Sequence, residues 1–312
     1  MARPQATIPR LFVAWCLLAL ASASHAEGDS TSGQLTGSVS FNLFGPYASY
    51  GELARRLMDS DAAARLEQRL LAAGTTLSGQ PISLAAENFV VHVPAHKPEQ
   101  GYGLLVFVPP WQQARLPPRW AQALDQHGVI FVSAARSGND ENPIGRRAPL
   151  ALLAAHNIIS RYSIDPQRVY IGGFSGGSRV ALRLALGYPD LFRGAILNAG
   201  SDTIGDPAGD SPIPLPPLEL LYEFQESSHI VYVTGERDSE HIADDLISMR
   251  SLHHWCVFGT DAIEIPRGEH EVADATTLSR AFDRLRDAQP PDPARLARCR
   301  ADVESRLSTY PR

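Results

Sequence analysis

The stretch from Arg168 to Arg179 constrains the fold more than any other part of the chain. Arg168–Gly172 is β-branched and aromatic, as a buried strand is. Gly176–Tyr188 sets Val180, Ala181, Leu184 and Ala185 against outward Arg179 and Arg183, the spacing of a helix. Between them, Gly173-Phe174-Ser175-Gly176-Gly177 is a G-x-S-x-G pattern at a strand-to-helix turn. A serine on so sharp a turn leaves no room for side chains on its neighbours, hence the glycines. Such a turn lifts Ser175 Oγ above the sheet and aims a helix N-terminus at any negative charge developing there. A phosphate cradle is the rival reading. Neither G-x-G-x-x-G spacing nor a lysine after the glycines is present to support it.

The rest of the chain alternates. Strands are expected at Asn88–Val93, Gly103–Val108, Gly128–Ser133, Gly194–Asn198, His229–Thr234 and Ala262–Ile265. Helical stretches are expected at Gly51–Ala73, Pro117–Gln126, Pro149–Tyr162, Leu218–Phe224, Ile242–Trp255 and Thr276–Arg286, with a last helix reaching Leu307. This alternation predicts an α/β fold, a mainly parallel sheet covered by helices on both faces. Its functional loops should lie at the C-terminal strand ends. Residues 27–80 read as a loose Gly/Ser-rich arm and a helix, and residues 81–312 as the main domain. The loops Arg136–Arg147 and Asp202–Pro217 are expected to line a pocket, and His92 to be a sheet-face histidine.

Met1–Ala26 reads as a secretory signal. Arg3 and Arg10 precede the apolar run Leu11–Ala21, and small residues at Ser24 and Ala26 place the cut after Ala26. The run is too short for a membrane span, so no stable insertion is expected once it is removed. Its removal takes two arginines and no acid, moving the net charge from −6 to −8. An acidic chain with a single lysine, Lys97, argues against a nucleic-acid or anionic-membrane partner. Cys16 leaves with the signal. Cys256 and Cys299 remain, and in a secreted or periplasmic chain they read as one disulfide stapling the C-terminal helix. No Cys/His spacing resembles a metal site, and no cofactor is implied.

A serine hydroxyl is a weak nucleophile until a base takes its proton, and that base needs an orienting carboxylate. After a G-x-S-x-G turn the acid comes next in the chain and the histidine last. Of the later histidines, only His270 sits in a loop following a strand, so it is the expected base. Asp238, in the turn after His229–Thr234, is the favoured acid, with Glu236 a close competitor and Asp202 a third choice. Two backbone N–H groups would hold an oxyanion: Gly176 and one after Gly103–Val108. Pro109 and Pro110 have no N–H, so Trp111 is the first residue able to donate, with Gln112 next.

With these residues assembled, Asn88–Arg286 resembles the exported α/β-hydrolase esterases of the polyhydroxybutyrate depolymerase and feruloyl/acetylxylan esterase type. The resemblance rests on Ser163–Gly177, with its I-D-x-x-R-V-Y entry and serine turn, and on Tyr188-Pro-Asp-Leu-Phe192. It implies cofactor-free cleavage of a small-molecule or oligomeric ester of a hydroxyacyl or aromatic acid. Such esterases carry His-Gly where this chain has Pro109-Pro110, so a reshaped oxyanion loop is expected. The arm and helix lie outside the match. The length is expected to leave no separate polymer-binding module. A non-catalytic binding protein on the same fold and a serine peptidase or acyltransferase using the same triad are the alternatives.

Overall fold

A computed structural model describes residues 35–205 and 212–309, so the expected signal Met1–Ala26 lies outside the described residues. In chain order the strands are β1 (Leu35–Val39), β2 (Phe89–Val93), β3 (Tyr102–Val108), β4 (Val129–Ala134), β5 (Ile164–Phe174), β6 (Gly194–Asn198), β7 (His229–Gly235) and β8 (Thr260–Ile265). The helices are α1 (Tyr50–Leu57), α2 (Ser60–Ala72), α3 (Trp120–His127), α4 (Ala148–Arg161), α5 (Gly176–Gly187), α6 (Leu218–Ser227), α7 (Ser239–His254), α8 (Ala275–Arg286) and α9 (Pro293–Thr309).

All eight strands form one sheet in the order β1-β2-β4-β3-β5-β6-β7-β8. β2 runs antiparallel to both β1 and β4, and every pairing from β4 to β8 is parallel. This is the expected α/β-hydrolase sheet. Successive side chains alternate faces, so each strand feeds two cores. Leu104, Val106 and Val108 pack with Ile171, Leu197 and residues of α4 and α5. Leu105 and Phe107 pack on the opposite face with Phe131, Val233 and residues of α3 and α8.

The expected loose arm is instead part of the sheet. β1 adds an edge strand paired with β2 from Leu35↔Val93 to Val39↔Phe89. Phe41 and Ala48 beyond it are buried. The single expected helix divides because Met58 is extended and the Asp59 side chain accepts from Ala62 N at 2.7 Å, capping a new start. Arg56 bolts α1 to the core. Its guanidinium bonds Glu52 at 2.6 Å, Asp190 at 2.7 and 3.0 Å, and the Gly187 carbonyl at 3.2 Å, over the ring of Tyr188.

The expected polar loop Arg136–Arg147 ends in a π-helical turn, Pro143–Arg147, started by Asn142 Oδ1 accepting from Ile144 N and Gly145 N. Of the expected loop Asp202–Pro217, the described flanks contribute to the core. Ile204 and Ile213 are buried and bridged, with Gly205 N donating to Ile213 O at 2.8 Å. Cys256 and Cys299 form the expected disulfide, joining the end of α7 to α9. Among the described residues, no helix is long and apolar enough to cross a membrane.

Candidate active site

Ser175 stands between β5 and α5 with φ 55° and ψ −127°, a conformation rare for any residue with a side chain. The crowding that the glycine pattern implied is visible. A Cβ on Gly173 would stand 2.3 Å from Gly177 C, and one on Gly177 would stand 2.0 Å from Val108 O. The turn is tied down from below. Ser175 N donates to Asn198 O at 2.9 Å, and Ser178 Oγ donates to both Gly173 O and Asn198 O.

Asp238 and His270 arrive from the ends of β7 and β8. The loops carrying them are zipped together: Glu236 N donates to Ile265 O and Arg237 N to Gly268 O. They pass so closely at Gly235 that a Cβ there would lie 2.3 Å from Glu269 O. Asp238 Oδ2 stands 2.9 Å from His270 Nδ1, and Asp238 is buried while the His270 ring is partly open to solvent. Because the carboxylate only accepts, Nδ1 carries the proton and Nε2 is left to act as a base. The His270 ring lies 4.9 Å from the ring of Phe174, the residue before Ser175.

The competing acids are engaged elsewhere. Glu236 is exposed and accepts from Arg267 N at 2.7 Å. Asp202 pairs with Arg179, which also bonds Asp244. His92 lies buried in β2 with its Nε2 2.8 Å from Asp125.

Two side chains at the candidate site escaped the sequence reading. His241, at the start of α7, places Nδ1 2.8 Å from the other oxygen of Asp238 and stacks on the His270 ring at 4.3 Å. Burial pushes the Asp238 carboxyl up, but hydrogen bonds from the two imidazoles outweigh it and hold the group below the usual carboxylate range. The only sequence signal was a histidine three residues past an acid at a helix start. Asn198 is the second. Its Nδ2 donates to Val233 O at 3.0 Å and Glu271 O at 3.2 Å, and its Oδ1 accepts from Ala273 N at 2.7 Å. One buried residue thus links the serine turn, through its carbonyl, to the loop that carries His270, through its side-chain amide. Nothing in its neighbours along the chain announced that role.

The expected oxyanion loop is held by a second zipper. Asn139 N donates to Pro110 O at 3.0 Å and Arg136 N to Gln112 O at 2.6 Å, fixing the backbone on both sides of Trp111. The Trp111 ring packs toward Phe107 and Phe174, with the Arg115 guanidinium 4.2 Å from its centre, so it also walls the site. A groove of about 480 Å³ lies elsewhere, between α2 and the Asn142–Gly145 turn, and none of the candidate catalytic residues lines it. The site is therefore located by the serine turn and the Asp–His pair. Asp238, His241 and His270 also bring three metal-capable groups within 4.8 Å. Two stacked rings facing separate carboxylate oxygens suit hydrogen bonding better than convergent ligation.

No protein-family profile matches the chain. One stretch is 28% identical over 95 residues to a poly(3-hydroxybutyrate) depolymerase from Ralstonia pickettii, covering 26% of this chain and 20% of that protein. The match therefore spans about a fifth of the curated relative's length. Among solved structures, a candidate dipeptidyl aminopeptidase IV from Bacteroides ovatus superposes with a TM-score of 0.51 at 13% identity, covering 84% of this chain and 37% of that one. An S-formylglutathione hydrolase (FrmB) from Staphylococcus aureus gives a TM-score of 0.49 at 14% identity, covering 81% and 97%. At 13% identity the first of these likenesses is one of fold.

Proposed function

We propose that the chain is an exported serine esterase acting on carboxylic esters of hydroxyacyl or aromatic acids. The observation that carries this reading is the 2.9 Å contact between Asp238 and His270, whose ring lies 4.9 Å from that of Phe174, the residue before a serine held at positive φ. His270 Nε2 takes the Ser175 proton as Oγ attacks the ester carbonyl. The Gly176 and Trp111 N–H groups hold the resulting oxyanion, and Asp238 keeps the imidazole in the right tautomer and stabilises its cation. The imidazolium then gives its proton to the departing alcohol, leaving an acyl-serine. Water, deprotonated by the same nitrogen, cleaves that ester and releases the acid.

The short likeness to a poly(3-hydroxybutyrate) depolymerase supports an ester substrate. The disulfide and the leader-like residues 1–26 support export to an oxidising compartment. The test is fluorophosphonate labelling of the purified mature chain, followed by peptide mapping and an ester screen. A single adduct on Ser175, absent in Ser175→Ala and lost in His270→Ala, is expected, with Ser175→Ala lowering ester hydrolysis at least ~10⁴-fold. Full hydrolysis by Ser175→Ala would sink the mechanism. Absence of any adduct on the native protein would point to a non-catalytic relative. Cleavage of peptides in preference to esters would make it a peptidase, and transfer to added alcohols an acyltransferase.

A further inference from the structure

Arg147 ends the π-helical turn and is buried, with 3% of its surface exposed. A buried guanidinium normally holds a carboxylate. Here every hydrogen bond it makes goes to an uncharged oxygen. Nε donates to Ser137 O at 3.0 Å and Nη1 to Gly176 O at 3.2 Å. Nη2 donates to Pro109 O at 3.0 Å and to Asn139 Oδ1 at 3.4 Å. Burial pulls its pKa down to about 10, with Glu141 opposing across space, and the group still carries its charge at neutral pH.

These partners belong to three separate segments. Gly176 is the first residue of α5, whose N–H is one oxyanion donor in the mechanism above. Pro109 opens the loop that presents Trp111, the other donor. Ser137 and Asn139 belong to the loop zipped onto that second segment. The Asn139 amide lies directly over Gly176, where a Cβ would stand 2.5 Å from its Oδ1. The planar fork of an arginine reaches all three segments at once, which a lysine's point charge does not.

We propose that Arg147 is the positioning residue of the oxyanion hole, a buried clamp that fixes the spacing between the Gly176 and Trp111 N–H donors. The inference rests on the serine-esterase reading. It gives the Pro109-Pro110 loop a rigid anchor that its own sequence lacks. The fixed positive charge sits behind the Gly176 peptide, so it also favours an anion forming in front of it. A hole held open in advance needs no rearrangement during the reaction, and misplacing it by about 1 Å costs on the order of 10²-fold.

The test is Arg147→Lys in the full mature chain, with fluorophosphonate labelling of the wild type as the control. The expected result is a kcat lowered about 10- to 100-fold with KM within about twofold, because only transition-state contacts are disturbed. Affinity for a trifluoromethyl ketone, which forms a tetrahedral oxyanion on the serine, should fall by the same factor. Affinity for the product alcohol, which has no carbonyl oxygen to place in the hole, should not change. Loss of structure alone would lower activity without this split. A folded Arg147→Lys with kcat within twofold of wild type overturns the inference. If Arg147→Lys does not fold, exposed Asn139→Ala removes one of the four bonds, and a roughly three- to tenfold loss in kcat at constant KM is expected. An unchanged kcat there overturns the inference. Failure of the wild type to label would instead remove the esterase reading on which it rests.

Discussion

Asp245 lies beneath the site, one turn along α7 from His241. It accepts hydrogen bonds from Ser201 Oγ at 2.7 Å and Thr234 Oγ1 at 2.5 Å. Burial raises its pKa to about 6, and the two hydroxyls and His241 restrain the rise. The folded state therefore binds more protons than the unfolded one between about pH 4 and 6, and stability falls as pH rises through that window. Asp245→Asn should flatten this fall, recovering on the order of 1–1.5 kcal/mol at pH 8 relative to pH 5. Urea unfolding at the two pH values checks it, and parallel curves for mutant and wild type would contradict it. Asp238 has the opposite sign: its depressed folded pKa gives stability that is present above the unfolded value and lost as pH falls through the folded one. Ser175, Asp238 and His270 could be singled out as candidates because each follows a strand, but chain order left Glu236 and Asp202 open beside Asp238, and only the folded chain puts Asp238 against His270. Asn198, His241 and Arg147 were not singled out. Asn198 and Arg147 take their places from partners on separate segments, of which local pattern carries no record, and His241 left only its position three residues past an acid.

At the scale of elements, α1 combines a buried apolar face with one buried cation. Arg56 joins it to the end of α5 through Asp190, the acid of the Tyr188-Pro-Asp-Leu-Phe192 turn. Burial alone would lower the Arg56 pKa, but the hydrogen bonds it donates to Asp190 and Glu52 overcome this and raise it. Arg56→Ala leaves both acids without their shared cation, though each is partly open to water. The expected cost is about 2–4 kcal/mol, below that of breaking a fully buried pair. Denaturant melts would show it as a lower midpoint, and an unchanged midpoint would mean that α1 is held by its apolar face alone. The same region marks where sequence patterning misled. Apolar residues from Leu53 to Leu71 share helical spacing, so the break at Asp59 was hidden by periodicity that continues across it. β1 is short, Gly/Ser-rich and at the sheet edge. It reads as an arm because an edge strand owes its order to its neighbour more than to its own composition.

The whole molecule was the most legible level. Near-continuous apolar strands separated by amphipathic helices admit few arrangements other than a doubly covered, mainly parallel sheet. The disulfide acts at this scale too, since Cys256 and Cys299 are 43 residues apart and enclose β8, α8 and the His270 loop. Replacing both with serine should lower unfolding free energy by about 3–4 kcal/mol through the greater freedom of the unfolded chain. The wild type in reductant should approach the same value. A difference under ~1 kcal/mol would mean that the packing of α9 already does that work. The backbone angle at Ser175 has a consequence for lineage. A glycine would occupy φ 55° without strain, whereas a serine there costs on the order of 1–3 kcal/mol. In a descendant relieved of its chemistry, drift would run downhill toward glycine, one codon step from many serines. On the proposed mechanism, the hydroxyl is what offsets the strain of keeping a serine there.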